Sequence, residues 1–253
     1  MTHWLYLPQL ESTGDTAVLE DSEAVHAVRA RRLRVGDSVS VFDGVGRTAV
    51  ARISDVIKRP LEVHLAVGAH QHWVPPTVRI HLTSALPKGD RQVTMLDMAT
   101  QLGITDFTPM NFERSVSRAR TNSQDRWRRV LIESCKQSPR PWLPVIHAPV
   151  DLDQWSSHPT GGVVNLIAHK QGESCSDIIK ESLLGAKHIR LLVGPEGGLS
   201  EAELTRLDHT QSIMVSLGEG VLRVEAAAVA LTALVGGLPV AGRTGSQPAA
   251  GSV

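Results

Sequence analysis

Two glycine-rich turns carry the strongest chemical suggestion in this sequence of 253 residues. The first, Gly194-Pro195-Glu196-Gly197-Gly198, follows the apolar run Leu191-Leu192-Val193 and precedes Ser200 and Glu203, which have capping-box spacing for a helix. The second, Gly218-Glu219-Gly220, follows Ile213 to Leu217 and leads through Val221-Leu222-Arg223-Val224-Glu225 into an alanine-rich helix. Glycine lets backbone N–H and C=O groups come close to a ligand, and loops at the carboxyl ends of parallel strands are where α/β folds bind ligands. Two successive strand-loop-helix units present those loops on one edge, so they can line one pocket. Neither turn has the GK[ST] of a P-loop or the GxGxxG of a dinucleotide site, so a small molecule held by backbone groups is the chemistry they suggest. Arg223 and Glu225 then lie at the mouth of the pocket, where a cation can stabilise developing negative charge or anchor a phosphate and a carboxylate can orient it. The plain alternatives are a structural turn and an ion pair in a helix's first turn.

Lys plus Arg equals Asp plus Glu, 26 against 26, but the charges are segregated. Glu113 to Arg140 carries eight basic residues against three acidic ones, whereas Gln171 to Glu225 carries five against nine. A further cluster, Arg29, Arg31, Arg32 and Arg34, lies near the N-terminus. Segregated charge on a neutral chain suggests local faces for a phosphate backbone, with solvated helix faces as the alternative. Cys135 and Cys175 are too few for a disulfide framework and form no CxxC. His64, His70, His72 and His81 have no acidic or cysteine partner in the sequence pattern, so no metal is expected. With 42% hydrophobic residues, no membrane-length apolar run and no signal-peptide pattern, the chain reads as a globular, cytoplasmic protein.

The elements that must hold these residues fall into two regions. The first 70 residues read as strands, with Ser38–Phe42, a turn at Asp43-Gly44, then Arg47–Ile57 and Leu61–Val67, which suggests a small β-barrel or sandwich. His70 to Pro76 contains two prolines and reads as the domain boundary. Beyond it strands and helices alternate. A strand at Val78–Ala85 is followed by a helix over Asp90–Leu102 with Gly103 as C-cap, a strand at Ile104–Thr108, and a helix from an N-cap at Ser123 that buries Trp127, Val130, Leu131 and Cys135. Strands at Val163–Ala168, His188–Val193 and Ile213–Leu217 complete a predominantly parallel, helix-covered sheet. The Gly-, Pro- and Ser-rich stretch 241–253 is expected to be a disordered tail.

GPEGGLSEAEL followed by LGEGVLRVEAAAVAL closely resembles the two C-terminal signatures of the ribosomal RNA small subunit methyltransferase E family, within the SPOUT superfamily. HAVRARRLRVGDSVSVFDG, ALPKGDRQVTMLDMATQLGITDFTPMNFERSV and KQSPRPWLPVI are similar to that family's earlier segments, in the same order. The chain departs from the pattern at Val224 and Ala226, where the family has LRTETA, and at Met98, Gln101 and Lys136, where it has Lys, Glu and Glu. The resemblance implies an α/β protein: a PUA-like β-barrel over residues 1–72 that helps hold RNA, and a SPOUT domain over 76–240 with a mostly parallel sheet and a trefoil knot. It implies a homodimer without a metal that transfers the methyl group of S-adenosylmethionine to N3 of a uridine in 16S rRNA of the small subunit. The implied cofactor residues are Leu166, Ala168 and His169; Val193, Gly194, Pro195, Glu196, Gly197 and Gly198; and Leu217, Gly218, Val221 and Leu222. Arg223 and Glu225 are the implied catalytic residues. Arg29, Arg31, Arg32, Arg34, Arg114, Arg118 and Arg140 are the expected RNA contacts. A ribose 2′-O-methyltransferase and a non-catalytic RNA-binding paralogue are the rival readings.

Overall fold

The computed structural model describes residues 3–120, 122–156, 162–174, 183, 185–208 and 210–237. The stretch 241–253 and Cys175 lie outside them. The described residues divide into two compact units, one formed by residues up to Pro75 together with Cys135–Leu143, the other by Pro76–Ser134 and the described residues from Pro144 to Gly237.

The first unit is a five-stranded sheet of β1 (His3–Tyr6), β2 (Thr16–Leu19), β3 (Ser38–Phe42), β4 (Arg47–Lys58) and β5 (Leu61–His72). The strand order is β1-β3-β4-β5-β2, antiparallel except for the β1–β3 pair. Alternation puts Val39 and Val41 of β3, Ile53 of β4, and Val63 and Leu65 of β5 into one core with Leu5, Leu7 and Leu10. The expectation of strands throughout fails at residues 21–30. There α1 (Asp21–Val25) runs into one wider helical turn over His26–Ala30, and Ala24 and Ala27, three apart, are fully buried. The two units divide between Pro75 and Pro76, inside the stretch expected as the boundary. β5 runs into that stretch, to His72, because its ladder to Arg47–Ala49 meets no proline before Pro75, and Trp73 adds a side-chain bond from Nε1 to Thr48 Oγ1 at 2.8 Å.

Residues 135–143 join this unit through close complementarity. Gly46 N–H donates to Pro141 O and Leu143 N–H to Gly44 O, and a Cβ at Gly46 would fall 2.2 Å from the Trp142 ring. The Lys136 side chain is buried, and its Nζ lies 2.9 Å from Glu23 Oε1. Glutamate at position 136, as in the resembled pattern, would set two carboxylates together here, so the departure is matched by Glu23.

The second unit is a six-stranded, entirely parallel sheet in the order β11-β9-β10-β6-β7-β8. Its strands are β6 (Arg79–Ser84), β7 (Asp106–Pro109), β8 (Val145–Ile146), β9 (Val163–Ser174), β10 (His188–Val193) and β11 (Ile213–Ser216). Central β10 is buried from Ile189 to Val193 because both its faces are covered, and its one charged residue there, Arg190, donates from Nη2 to Trp155 O at 2.8 Å. The helices are α2 (Arg91–Gln101), α3 (Ser123–Gln137), α4 (Leu152–Ser156), α5 (Glu201–Asp208) and α6 (Val224–Gly236). α2 contributes Met95, Leu96 and Ala99 to the core and α6 contributes Val224, Ala228, Leu231 and Val235. Trp127 of α3 packs edge-on to Phe107, with ring centroids 5.6 Å apart. Ser123 opens α3, but its hydroxyl accepts the Arg120 N–H of the preceding turn at 2.8 Å. Met98 and Gln101 lie on the exposed side of α2. The trefoil knot remains an expectation of the resemblance alone.

Candidate functional site

The chain runs from β6 outward to β7 and β8, then returns to lay β9, β10 and β11 on the other side of β6. Ligand crevices in open α/β sheets form at the carboxyl ends of strands near such a reversal. At the ends of β9, β10 and β11 lies a cavity of about 270 Å3. From β9 it is lined by Ala168, His169 and Lys170; from the first glycine turn by Val193, Gly194, Pro195, Glu196, Gly198 and Leu199; and from the second by Leu217, Gly218, Gly220, Val221 and Leu222. Val224 and Ala227 of α6 close it.

Two of the expected lining residues are elsewhere. Leu166 is fully buried in β9, one alternation before Ala168. Gly197 does not line the cavity, and a Cβ there would stand 3.2 Å from Arg114 Cβ. Its glycine is explained by that close approach. Gly198 and Gly218, at φ +70° and +134°, are glycine for backbone conformation instead.

The first turn is held from two directions. Ser200 and Glu203 form the capping box, with Ser200 N–H donating to Glu203 Oε2 at 2.8 Å and Glu203 N–H to Ser200 Oγ at 3.3 Å. The second oxygen of buried Glu203 accepts Glu113 N–H at 2.8 Å. Arg114 Nη1 then donates to Gly197 O at 3.1 Å. Arg114, expected as an RNA contact, is therefore engaged with the glycine turn.

Arg223 is exposed, in extended backbone just before α6, and its side chain makes no ion pair among the described residues. The expected pairing with Glu225 is corrected by the structure. Glu225 Oε1 lies 3.5 Å from Arg91 Nη1, and the same nitrogen is 3.7 Å from Glu196 Oε1. Arg91 thus ties α2 to the first turn and to the start of α6. Sequence reasoning missed it as a site residue, although it sits in the KGDR segment that carried part of the resemblance. Glu225 Oε2 is buried with no hydrogen-bond partner among the described residues. Val224, a departure from the family pattern, gives the cavity an apolar wall, whereas Ala226 is exposed and does not line it.

Arg29, Arg31, Arg32 and Arg34 are all exposed in the first unit, on the helical turn and the loop after it. Arg140 lies in the 135–143 segment of that unit. Arg118 is exposed in the second unit.

The histidine expectation also needs correction. His64 Nε2 lies 3.1 Å from Glu62 Oε2, and His81 stands with Asp106 and His147, their donor atoms within 4.8 Å of one another. The parallel register sets His81 directly beside Asp106, a juxtaposition no sequence spacing displays. Burial pushes His81 down to about 3. Burial alone would raise Asp106, but hydrogen bonds from Arg79, His147 and Thr105 outweigh it and hold the carboxyl at about 2. With both carboxylate oxygens engaged, the cluster is a closed hydrogen-bond network.

Comparison with known proteins agrees with this geometry. Residues 74–236 match the family described as RNA methyltransferase domain, and residues 19–66 match the RNA methyltransferase PUA domain. The chain is 32% identical over 240 residues to ribosomal RNA small subunit methyltransferase E of Mycobacterium tuberculosis, covering 90% of this chain and 89% of that one. It is 31% identical to the protein of the same name from Synechocystis, over 85% of this chain and 71% of the other. The crystal structure of the Neisseria gonorrhoeae protein of that name, bound to S-adenosyl methionine, superimposes with a TM-score of 0.80 at 27% identity, over 92% of this chain and 96% of that one.

Proposed function

Because the chain belongs to the ribosomal RNA small subunit methyltransferase E family, we propose that it transfers the methyl group of S-adenosylmethionine to N3 of a specific uridine in 16S rRNA of the small ribosomal subunit. The observation that carries this reading is the cavity lined by both glycine turns at the ends of β9, β10 and β11, with an uncommitted Arg223 beside its closing helix. The cavity suits a nucleoside. Val193, Leu217, Leu222 and Val224 offer apolar walls for a base, and Gly194, Gly198 and Gly218, without side chains, let a ligand come close to the backbone. When bound, S-adenosylmethionine supplies an electrophilic methyl group. The protein has to place the acceptor in line and favour loss of the imide proton. Arg223 stabilises the negative charge that develops on the uracil ring. Arg91 lies near both Glu196 and Glu225 and thereby ties the first turn to the start of α6. The same reading has the protein acting as a homodimer in the cytoplasm. Val221 and Leu222, exposed apolar side chains on the cavity rim, fit a surface covered by a second copy.

The test is incubation of small subunits with labelled S-adenosylmethionine, followed by mass spectrometry of the nucleosides. N3-methyluridine supports the proposal. A 2′-O-methyl nucleoside selects the ribose enzyme, and a protein that binds RNA but no cofactor is the non-catalytic paralogue.

Gly197→Val tests the first turn. The added side chain cannot be accommodated without moving Arg114, whose hydrogen bond holds Gly197 O. Cofactor affinity is expected to fall roughly tenfold, about 1.4 kcal/mol, while the fold persists. Unchanged affinity in a calorimetric titration means that the turn adapts without Arg114.

A further inference from the structure

The second unit holds another cavity, of about 420 Å3, which is within the size range of ligand sites. Arg118, Arg120 and Arg126 line it, together with Gly89 and Gln92 at the start of α2, and no acidic side chain does. The Arg118 and Arg120 side chains make no ion pair among the described residues. Arg126 meets Asp90 at 2.7 Å, but Asp90 is almost fully exposed, so solvent screens that pair. The recess is also braced. Gln92 Nε2 donates to Pro87 O at 2.9 Å, and Gln92 Oε1 accepts Trp127 Nε1 at 3.3 Å. Three guanidinium groups around one braced recess make a site for a phosphate group.

The chain segment leading into this recess is the one bolted to the glycine turn. Glu113 N–H bonds Glu203 and Arg114 bonds Gly197 O; four residues after Arg114, Arg118 reaches the recess. Resting on the methyltransferase reading above, we propose that the recess holds a backbone phosphate of the acceptor RNA strand, and that Arg114 couples its occupancy to the glycine turn of the cofactor cavity. Filling one site then tightens the other by the same factor, because coupling between two sites is reciprocal.

The experiment compares the wild type, the triple variant Arg118→Gln/Arg120→Gln/Arg126→Gln and Arg114→Gln, using small subunits and S-adenosylmethionine as probes. The triple variant should bind small subunits about 10- to 100-fold more weakly at near-physiological salt, and its plot of log affinity against log salt should be shallower by about one for each phosphate that is no longer neutralised. Its affinity for S-adenosylmethionine alone should be unchanged, which also reports an intact fold. In the wild type, small subunits should tighten cofactor binding at least about fivefold, and in Arg114→Gln this gain should vanish. Equal salt slopes for triple variant and wild type would make the recess a solvated face and overturn the proposal. If inorganic phosphate saturates the recess while RNA affinity stays as it was, the ligand is a small anion and the RNA assignment fails. A wild-type cofactor affinity indifferent to RNA removes the coupling. A wild type that shows the salt slope and the coupling but transfers no methyl group fails the proposed function and leaves the recess standing.

Discussion

Arg223→Ala is expected to slow methyl transfer to small-subunit rRNA about 10²- to 10³-fold, the usual cost of removing one group that stabilises charge in a transition state. Little else should change. The Arg223 side chain is exposed and makes no ion pair among the described residues, and its local structural contribution is a backbone one, its carbonyl accepting Ala227 N–H at 2.9 Å. Alanine preserves that bond, so folding stability and cofactor affinity should stay near wild type. Had Arg223 paired with Glu225, the same substitution would have exposed a partner and confounded the result, but Glu225 is held by Arg91. Arg223→Lys should restore only part of the rate, since an ammonium group cannot reproduce the planar two-pronged geometry of guanidinium. The measurement is single-turnover transfer from labelled S-adenosylmethionine with saturating cofactor. A rate within about threefold of wild type for the alanine variant would take Arg223 out of the chemistry.

Much of the second unit was legible because its signals are local. The largely apolar stretches at 163–168 and 189–193, the glycine turns that follow β10 and β11, and the Ser200/Glu203 spacing all lie within a few residues of the features they specify. What escaped depends on long-range juxtaposition. Arg91 meets Glu225 across 134 positions, and nothing near either residue announces it. Gly197 looked like a cofactor glycine, yet its neighbour is Arg114, brought there by the Glu203 hydrogen bond to Glu113. His81 and Asp106 are neighbours only through the parallel register of β6 and β7. In the first unit the missed helix at 21–30 is short and begins without a side-chain cap, so its signals are only the acidic Asp21 and Glu23 of its first turn and the spacing of Ala24 and Ala27. The inclusion of 135–143 rests on Trp142 lying against Gly46, which becomes visible only once both segments are in place.

Gly172→Ala is expected to lower stability by about 1–3 kcal/mol, the range for forcing extra atoms into a packed interior, and to weaken cofactor binding more than the Gly197 change does. The pairing of β9 with β11 explains why. Met214 lies opposite Ile167, but Val215 lies opposite Glu173, so residues 168–172 of β9 are left out of the ladder between those two pairs. Ala168, His169 and Lys170 of that excursion form one wall of the cofactor cavity. The excursion closes where Gly172 returns to β11, and there a Cβ would fall 2.6 Å from backbone atoms of both Met214 and Val215. No rotamer change relieves a clash with backbone, so either the excursion opens or β11 shifts, and β11 leads directly into the second glycine turn. Both cavity walls therefore move together. Gly220→Ala is the control: it lies in that second turn, but its Cβ would meet nothing within 4 Å, so it should be close to neutral in stability. Denaturant unfolding and calorimetric titration of the two variants decide the matter. A Gly172→Ala protein with the stability and cofactor affinity of the control would mean that the register jump between β9 and β11 does not shape the cavity.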